Sequence, residues 1–155
     1  MITKLIAIAS DHGGYNLKEK LKPYLAKKGL IIKDLGTCSK QRCDYPELAY
    51  TLAKEISSGR VKRGILICKS GIGNSIVANR LLGVRAALCY NVKAARLSRE
   101  HNDSNVLVLG SIFVNERLAK KIAGVWLEAE FQGGRHKTRL NQIRKIERTI
   151  RSAQK

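Results

Sequence analysis

The chemistry-bearing residues of this chain gather first around Cys68. The apolar run Ile65-Leu66-Ile67 delivers that thiol to Lys69-Ser70-Gly71-Ile72-Gly73-Asn74-Ser75, a loop with two glycines one residue apart. Glycines let successive backbone N–H groups face one concavity, and a helix starting there adds positive potential. A thiol at that point is expected to ionise more readily than the free value of about 8.5. The combination suits chemistry on a negatively charged small molecule.

Several phosphate loops are excluded by spacing. A Walker loop needs Gly, four residues, then Gly-Lys-Ser/Thr, which is absent. A dinucleotide fingerprint wants a third glycine near Ile76 and a place after the first strand. A tyrosine-phosphatase loop needs arginine six positions after its cysteine, where this chain has Asn74. A phosphocysteine loop of the sugar phosphotransferase type stays open, although Cys68 follows the third strand rather than the first. The plain alternative is a buried cysteine at a strand end. The three histidines, His12, His101 and His136, each lie in a polar or glycine-bearing segment. No HExxH or His–carboxylate spacing points to a metal, so no metal site is expected.

The elements that position these residues alternate. Continuous apolar runs, of the kind buried on both faces, read as strands at Lys4–Ser10, Leu30–Leu35, Gly64–Cys68, Val84–Cys89 and Asn105–Leu109. Helices are expected over Tyr15–Lys28, Pro46–Ser58, Ile76–Leu82, Val92–Arg99 and Asn115–Glu128, with Pro23 kinking or restarting the first. The pattern predicts an α/β fold, a Rossmann-like three-layer sandwich with a five-stranded parallel sheet and helices on both faces. Right-handed crossovers place all strand carboxyl ends along one edge, where ligands bind. Asp11 and His12, then Cys68 and its loop, then Gly110 and Ser111 fall on that edge. Residues 1–131 form this domain. Residues 132–155 form a Gly-Gly hinge and a helix from about Thr138 to Ala153, with an apolar seam of Leu140, Ile143, Ile146 and Ile150. Such a helix packs either on its own domain or on a neighbouring subunit.

Composition sets the outer limits. The 155 residues suffice for one domain with a sizeable core. No window matches a membrane span or a secretory leader, so a cytoplasmic protein is expected. Cys38, Cys43, Cys68 and Cys89 are too scattered for a disulfide scaffold, and free thiols are the expectation. Thirty Lys and Arg against twelve Asp and Glu give a formal charge of +18, which invites a nucleic-acid reading. Against it, the basic residues spread along the chain and aromatics are only 5%, too few for a stacking platform.

Six ordered motifs carry a resemblance. They are Ser10-Asp11-His12-Gly13-Gly14; Asp44-Tyr45-Pro46; the Cys68 loop through Ala78-Asn79; Gly83-Val84-Arg85-Ala86-Ala87; Ser98-Arg99-Glu100-His101-Asn102-Asp103 with Asn105-Val106-Leu107; and Gly133-Gly134-Arg135-His136. Together they resemble the ribose-5-phosphate isomerase B family, which also holds the galactose-6-phosphate isomerase subunits. The resemblance implies a cofactor-free, metal-free aldose–ketose isomerase of a phosphorylated sugar. It also implies a homodimer or tetramer whose active sites are shared between subunits, and it leaves nucleic acid out as a partner.

By the same resemblance Cys68 is the base that moves a proton between C1 and C2 of the sugar, with Ser70 beside it. The amides of Gly71, Ile72, Gly73, Asn74 and Ser75 hold the enediolate oxygen. His101 assists ring opening, and Asp11 and Tyr45 orient the sugar. Asn102 contacts hydroxyls, and His12, Arg135 and Arg139 clamp the phosphate, the arginines arriving from the partner. Three departures stand out, one of them the surplus of positive charge. Lys69 replaces the usual glycine beside the base, and Ile112 stands where relatives commonly carry arginine. The preferred sugar is expected to be ribose 5-phosphate, with a six-carbon sugar phosphate as the alternative. A non-catalytic nucleic-acid module on the same fold is the remaining rival.

Overall fold

Strand periodicity and apolar content explain the sheet. In the computed structural model, which describes residues 4–154, five parallel strands form one sheet in the order β2-β1-β3-β5-β4. The strands are β1 (Leu5–Ser10), β2 (Ile31–Asp34), β3 (Gly64–Cys68), β4 (Ala86–Leu88) and β5 (Val106–Gly110). Every residue of β3 and β5 is buried, because helices cover both faces. Alternate residues point to different layers. Ile6, Ile8, Ile65, Ile67, Leu107 and Leu109 pack with helices α1 (Tyr15–Lys27), α4 (Val92–Glu100) and α5 (Glu116–Glu128). Ala7, Ala9, Leu66, Val106 and Val108 pack with α2 (Tyr45–Ser57) and α3 (Ile72–Ala78). The expected three-layer α/β fold is the observed one.

Two boundaries moved. The third helix was expected to begin at Ile76, but α3 starts at Ile72, directly after Gly71 in the left-handed conformation at φ 81°. A Cβ at Gly71 would also collide with Leu88. Asn79 ends the helix by donating to the carbonyls of Ser75 and Ala86, both at 3.0 Å, and accepting from the Ala86 amide at 2.9 Å. The loop predicted around Gly73, Asn74 and Ser75 is therefore the first turn of a helix. The last helix, α6 (Gly134–Ala153), begins four residues before the expected Thr138.

Helix α1 also runs unbroken past Pro23. Pro23 is exposed, so water can satisfy the carbonyl that its missing N–H leaves free. The outer limits assigned to the two segments, residues 1–3 and 155, lie outside the described residues.

Strand order creates a crevice. The chain goes from β1 outward to β2 and returns past β1 to β3, so the connections diverge between β1 and β3. That is a topological switch point, and the loops after β1 and β3 flank it. α6 behaves differently from the other helices. Only His136 and Leu140 of it are buried, while Ile143, Ile146 and Ile150 remain 43%, 59% and 53% exposed.

The sheet centre is where truncation costs most. Leu107→Ala should destabilise the protein by about 2–5 kcal/mol, since Leu107 is fully buried in β5. Chemical denaturation of the two proteins measures the difference.

Candidate active site

The switch-point cavity, about 390 Å³, is lined by Asp11, Tyr45, Cys68, Lys69, Ser70, Ile72, Gly73 and Ile76. Each arrives for a local reason. β1 ends at Ser10 and the following turn closes on Asp11, whose carboxylate accepts the Gly14 N–H at 3.0 Å. Tyr45 opens α2 behind Asp44, with Pro46 in the first turn. Its ring lies so close to Gly73 that a Cβ there would overlap it. The loops are tied together by Ser111, whose hydroxyl donates to the Gly13 carbonyl at 2.7 Å. His12 stands beside Asp11, with its Nδ1 3.0 Å from the Cys43 carbonyl oxygen.

Cys68 is the buried centre of this cavity, 4% exposed. Its sulfur accepts the Gly71 N–H at 3.2 Å, and the backbone N–H groups of Asn74 and Ser70 also favour its thiolate. Burial outweighs them, and the Asp11 charge acts in the same direction, so the thiol is pushed above its ordinary range. The sequence-based expectation of easier ionisation is corrected for the single chain. The loop dipoles are present, but the cost of burying a thiolate is larger.

The five loop amides are not equivalent. Gly71 is engaged with sulfur, Ile72 donates to Ser70 Oγ at 3.2 Å, and Ser75 donates to the Gly71 carbonyl at 3.0 Å. The Gly73 N–H, at the mouth of the cavity, has no backbone acceptor outside α3 among the described residues. Lys69 is exposed on the rim, and its carbonyl accepts from Ile112, itself 62% exposed.

His101, Asn102, Arg135 and Arg139 are not in this cavity. His101 caps the carboxyl end of α4, in the turn that leads into β5, and β5 runs parallel to β3. The turn therefore lies at the amino edge of the sheet, while Cys68 lies at the carboxyl edge. The five-residue strand alone separates the edges by roughly 13 Å. His101 instead stacks on His136, with ring centres 4.1 Å apart and planes 8° from parallel. Desolvation lowers the pKa of His136, and the charges of His101, Arg135 and Arg139 lower it further. Asn102 lines a neighbouring groove with Leu140, Ile143 and Glu147 of α6.

The predicted residues thus fall into two groups, one around Cys68 and one around His101 and His136. The sequence reading singled out His136 without giving it a role. Its stacking partner depends on how α6 folds back, which no local pattern encodes. Among the described residues no group of His, Cys, Asp and Glu could hold a metal ion. No described helix is long and apolar enough to cross a membrane.

Comparison with known proteins agrees with this architecture. The chain is 45% identical over 144 residues to ribose-5-phosphate isomerase B of Escherichia coli strain K12, covering 93% of this chain and 97% of that protein. The structure of Clostridium thermocellum ribose-5-phosphate isomerase B superposes with a TM-score of 0.92 at 49% identity, covering 94% of this chain and 99% of the other. That of Mycoplasma genitalium ribose-5-phosphate isomerase B with bound ribulose-5-phosphate gives 0.89 at 39% identity, covering 93% and 96%. Residues 6–143 match the Ribose/Galactose Isomerase family. With a family match across most of its length and close relatives aligned nearly end to end, this chain belongs to the ribose/galactose isomerase family.

Proposed function

We propose that the protein interconverts ribose 5-phosphate and ribulose 5-phosphate in an active site completed by a second copy of the chain. The observation that carries this reading is Cys68, buried at the switch point under the Gly71 amide and walled by Asp11 and Tyr45. A thiolate there takes the proton from C2 of the open-chain sugar. The released electron pair forms the C1–C2 double bond of a cis-enediolate, with negative charge on O1. The thiol returns its proton to C1, and the O2 proton passes to O1, giving the ketose. The Gly73 amide, which has no backbone acceptor outside α3, would stabilise the charged oxygen. Asp11 orients the sugar, with Ser70 and Tyr45 beside it.

The second half of the chemistry lies at the amino edge. Ring opening by His101, hydroxyl contact by Asn102, and phosphate binding by Arg135 and Arg139 need these groups beside Cys68. β5 holds His101 and Asn102 at the far edge of their own subunit, so we assign all four to a partner's site. His12 stays with Cys68 and meets the phosphate from that side. The exposed isoleucines of α6, with Ile72 and Ile76 on the rim of the Cys68 cavity, supply apolar surface for a homodimer or a larger assembly. A docked partner would also bring two guanidinium charges towards a thiol that burial holds protonated. Opposite charge nearby favours the thiolate and would restore its reactivity. Four free cysteines fit a cytoplasmic setting.

Cys68→Ala should lower ribose 5-phosphate isomerisation by at least about 10²-fold while leaving the melting temperature nearly unchanged. Near-normal turnover would overturn the assignment. Running ribose 5-phosphate beside allose 6-phosphate and galactose 6-phosphate separates the five-carbon reading from the six-carbon one. Cys68→Ala and His101→Ala proteins, each inactive alone, should recover activity when unfolded and refolded together, because hybrids contain one intact site. If both half-sites served the same subunit, no activity would return.

Ionisation of Cys68 under the partner's arginines is tested separately. Removing the partner's cations with Arg135→Ala and Arg139→Ala should shift alkylation of Cys68 to higher pH, since the thiolate loses its stabilising charges. The rate against pH, followed by peptide mass spectrometry, reads that shift. An unchanged profile means that those arginines do not face Cys68.

A further inference from the structure

A second polar cavity, about 350 Å³, opens at the amino edge between the turns that enter β3, β4 and β5. Lys62, Arg63, Arg85 and Arg99 line it, and Asp103 is the only carboxylate among its lining residues. Four cations against one anion leave an excess of three positive charges. Both Asp103 oxygens are already engaged. One oxygen accepts from Arg99 Nη1 at 2.8 Å and the other from Arg85 Nη2 at 3.0 Å. Glu55, adjacent in sequence to the lining residue Ile56, is held by Lys33 at 2.7 Å and Arg60 at 2.7 Å.

The two inner arginines are only partly matched by acceptors. Arg63 lies 5.7 Å from the Trp126 ring centre and Arg99 lies 5.9 Å from the same centre. Two guanidiniums therefore share one indole. Arg63 donates to the Leu127 carbonyl at 2.7 Å and has no carboxylate partner among the described residues. Arg99 is 6% exposed, and its buried Nε has no hydrogen-bond partner among the described residues. Burial, together with the neighbouring Arg99 charge, disfavours the charged form of Arg63. A concave site with surplus guanidinium donors and a buried unpaired N–H is matched by a compact anion with several acceptor oxygens.

We propose that this cavity binds a phosphoryl oxyanion, either inorganic phosphate or the phosphate group of a small metabolite, separately from the Cys68 site. Bound there, the anion accepts from Arg63, Arg99 and Lys62 and relieves their mutual repulsion. It also competes with Asp103 for Arg85 and Arg99. Those two side chains hold the turn after α4. Arg85 Nε donates to the carbonyls of Asn102 at 3.1 Å and Asp103 at 2.9 Å, and Arg99 Nη1 donates to Ser104 at 2.6 Å. His101 and Asn102 ride on that turn, so occupancy here reaches groups assigned above to the partner's active site.

Trp126 is the chain's only tryptophan and lies 5.7 and 5.9 Å from the two inner guanidiniums, so its fluorescence reports on changes around them. The titration uses the Arg135→Ala/Arg139→Ala protein, in which the proposed substrate phosphate clamp is gone. Inorganic phosphate and glycerol 3-phosphate are added in parallel, with sodium chloride at matched ionic strength as control. At least one phosphoryl ligand should give a saturable change that chloride does not, and which one does so identifies the source. Arg63→Gln in this background should weaken binding by about tenfold or more, and Lys62→Gln by a smaller factor without disturbing the fold. The exposed Lys62 keeps the test valid should Arg63→Gln unfold. No saturable change with either ligand, an equal change with chloride, or binding unaffected by both substitutions would overturn the proposal.

Discussion

β3 and β5 are paired in register from Gly64–Val106 to Cys68–Gly110, and both run in the same direction. Whatever follows β3 and whatever precedes β5 are then held at opposite edges of a rigid, fully buried pair of strands. Cys68 follows from the first condition and His101 from the second. No side-chain rotation spans that distance, and the strands cannot slip without turning their apolar residues out of both cores. The separation of Cys68 from His101 is thus a consequence of strand direction. The shared active site proposed above would reconcile this geometry with the chemistry of an isomerase.

The same layering explains the electrostatics at the sulfur. A strand buried on both faces delivers its last residue into a dry environment, where a neutral thiol is favoured. The short helix that starts at Ile72 returns some stabilisation through amides directed at the sulfur, but Asp11 opposes it. Within the single chain the balance therefore favours the neutral thiol. On the proposed reading, the missing positive charge comes from Arg135 and Arg139 of another copy, which couples reactivity to assembly.

Charge elsewhere is similarly local. The +18 total suggested a diffuse basic surface when read along the sequence. In three dimensions part of it converges, because the turns entering β3, β4 and β5 are neighbours at one edge. Lys62 and Arg63 precede β3, Arg85 precedes β4, and Arg99 comes from the last turn of α4. Their accumulation around one carboxylate is visible only after the sheet is assembled. Trp126 and Ser104 anchor the same corner, with the indole N–H donating to Ser104 Oγ at 2.8 Å.

Local pattern alone determined the α/β alternation, the five strands and the placement of Asp11 and Cys68 at strand ends. Those features depend on apolar periodicity and on turn residues adjacent in the chain. The ordered motifs also carried the family resemblance, since each is a contiguous segment. Tertiary structure decided the rest. Helix α3 begins at Ile72 rather than Ile76 because Gly71 takes a left-handed conformation against Leu88, a contact between distant segments. The Cys68 thiol is raised rather than lowered because burial on both sheet faces outweighs nearby dipoles. His101 stacks on His136 and faces away from Cys68 because parallel pairing sends the start of β5 to the other edge. Long-range packing set these three outcomes, and no window of sequence contains both partners in any of them.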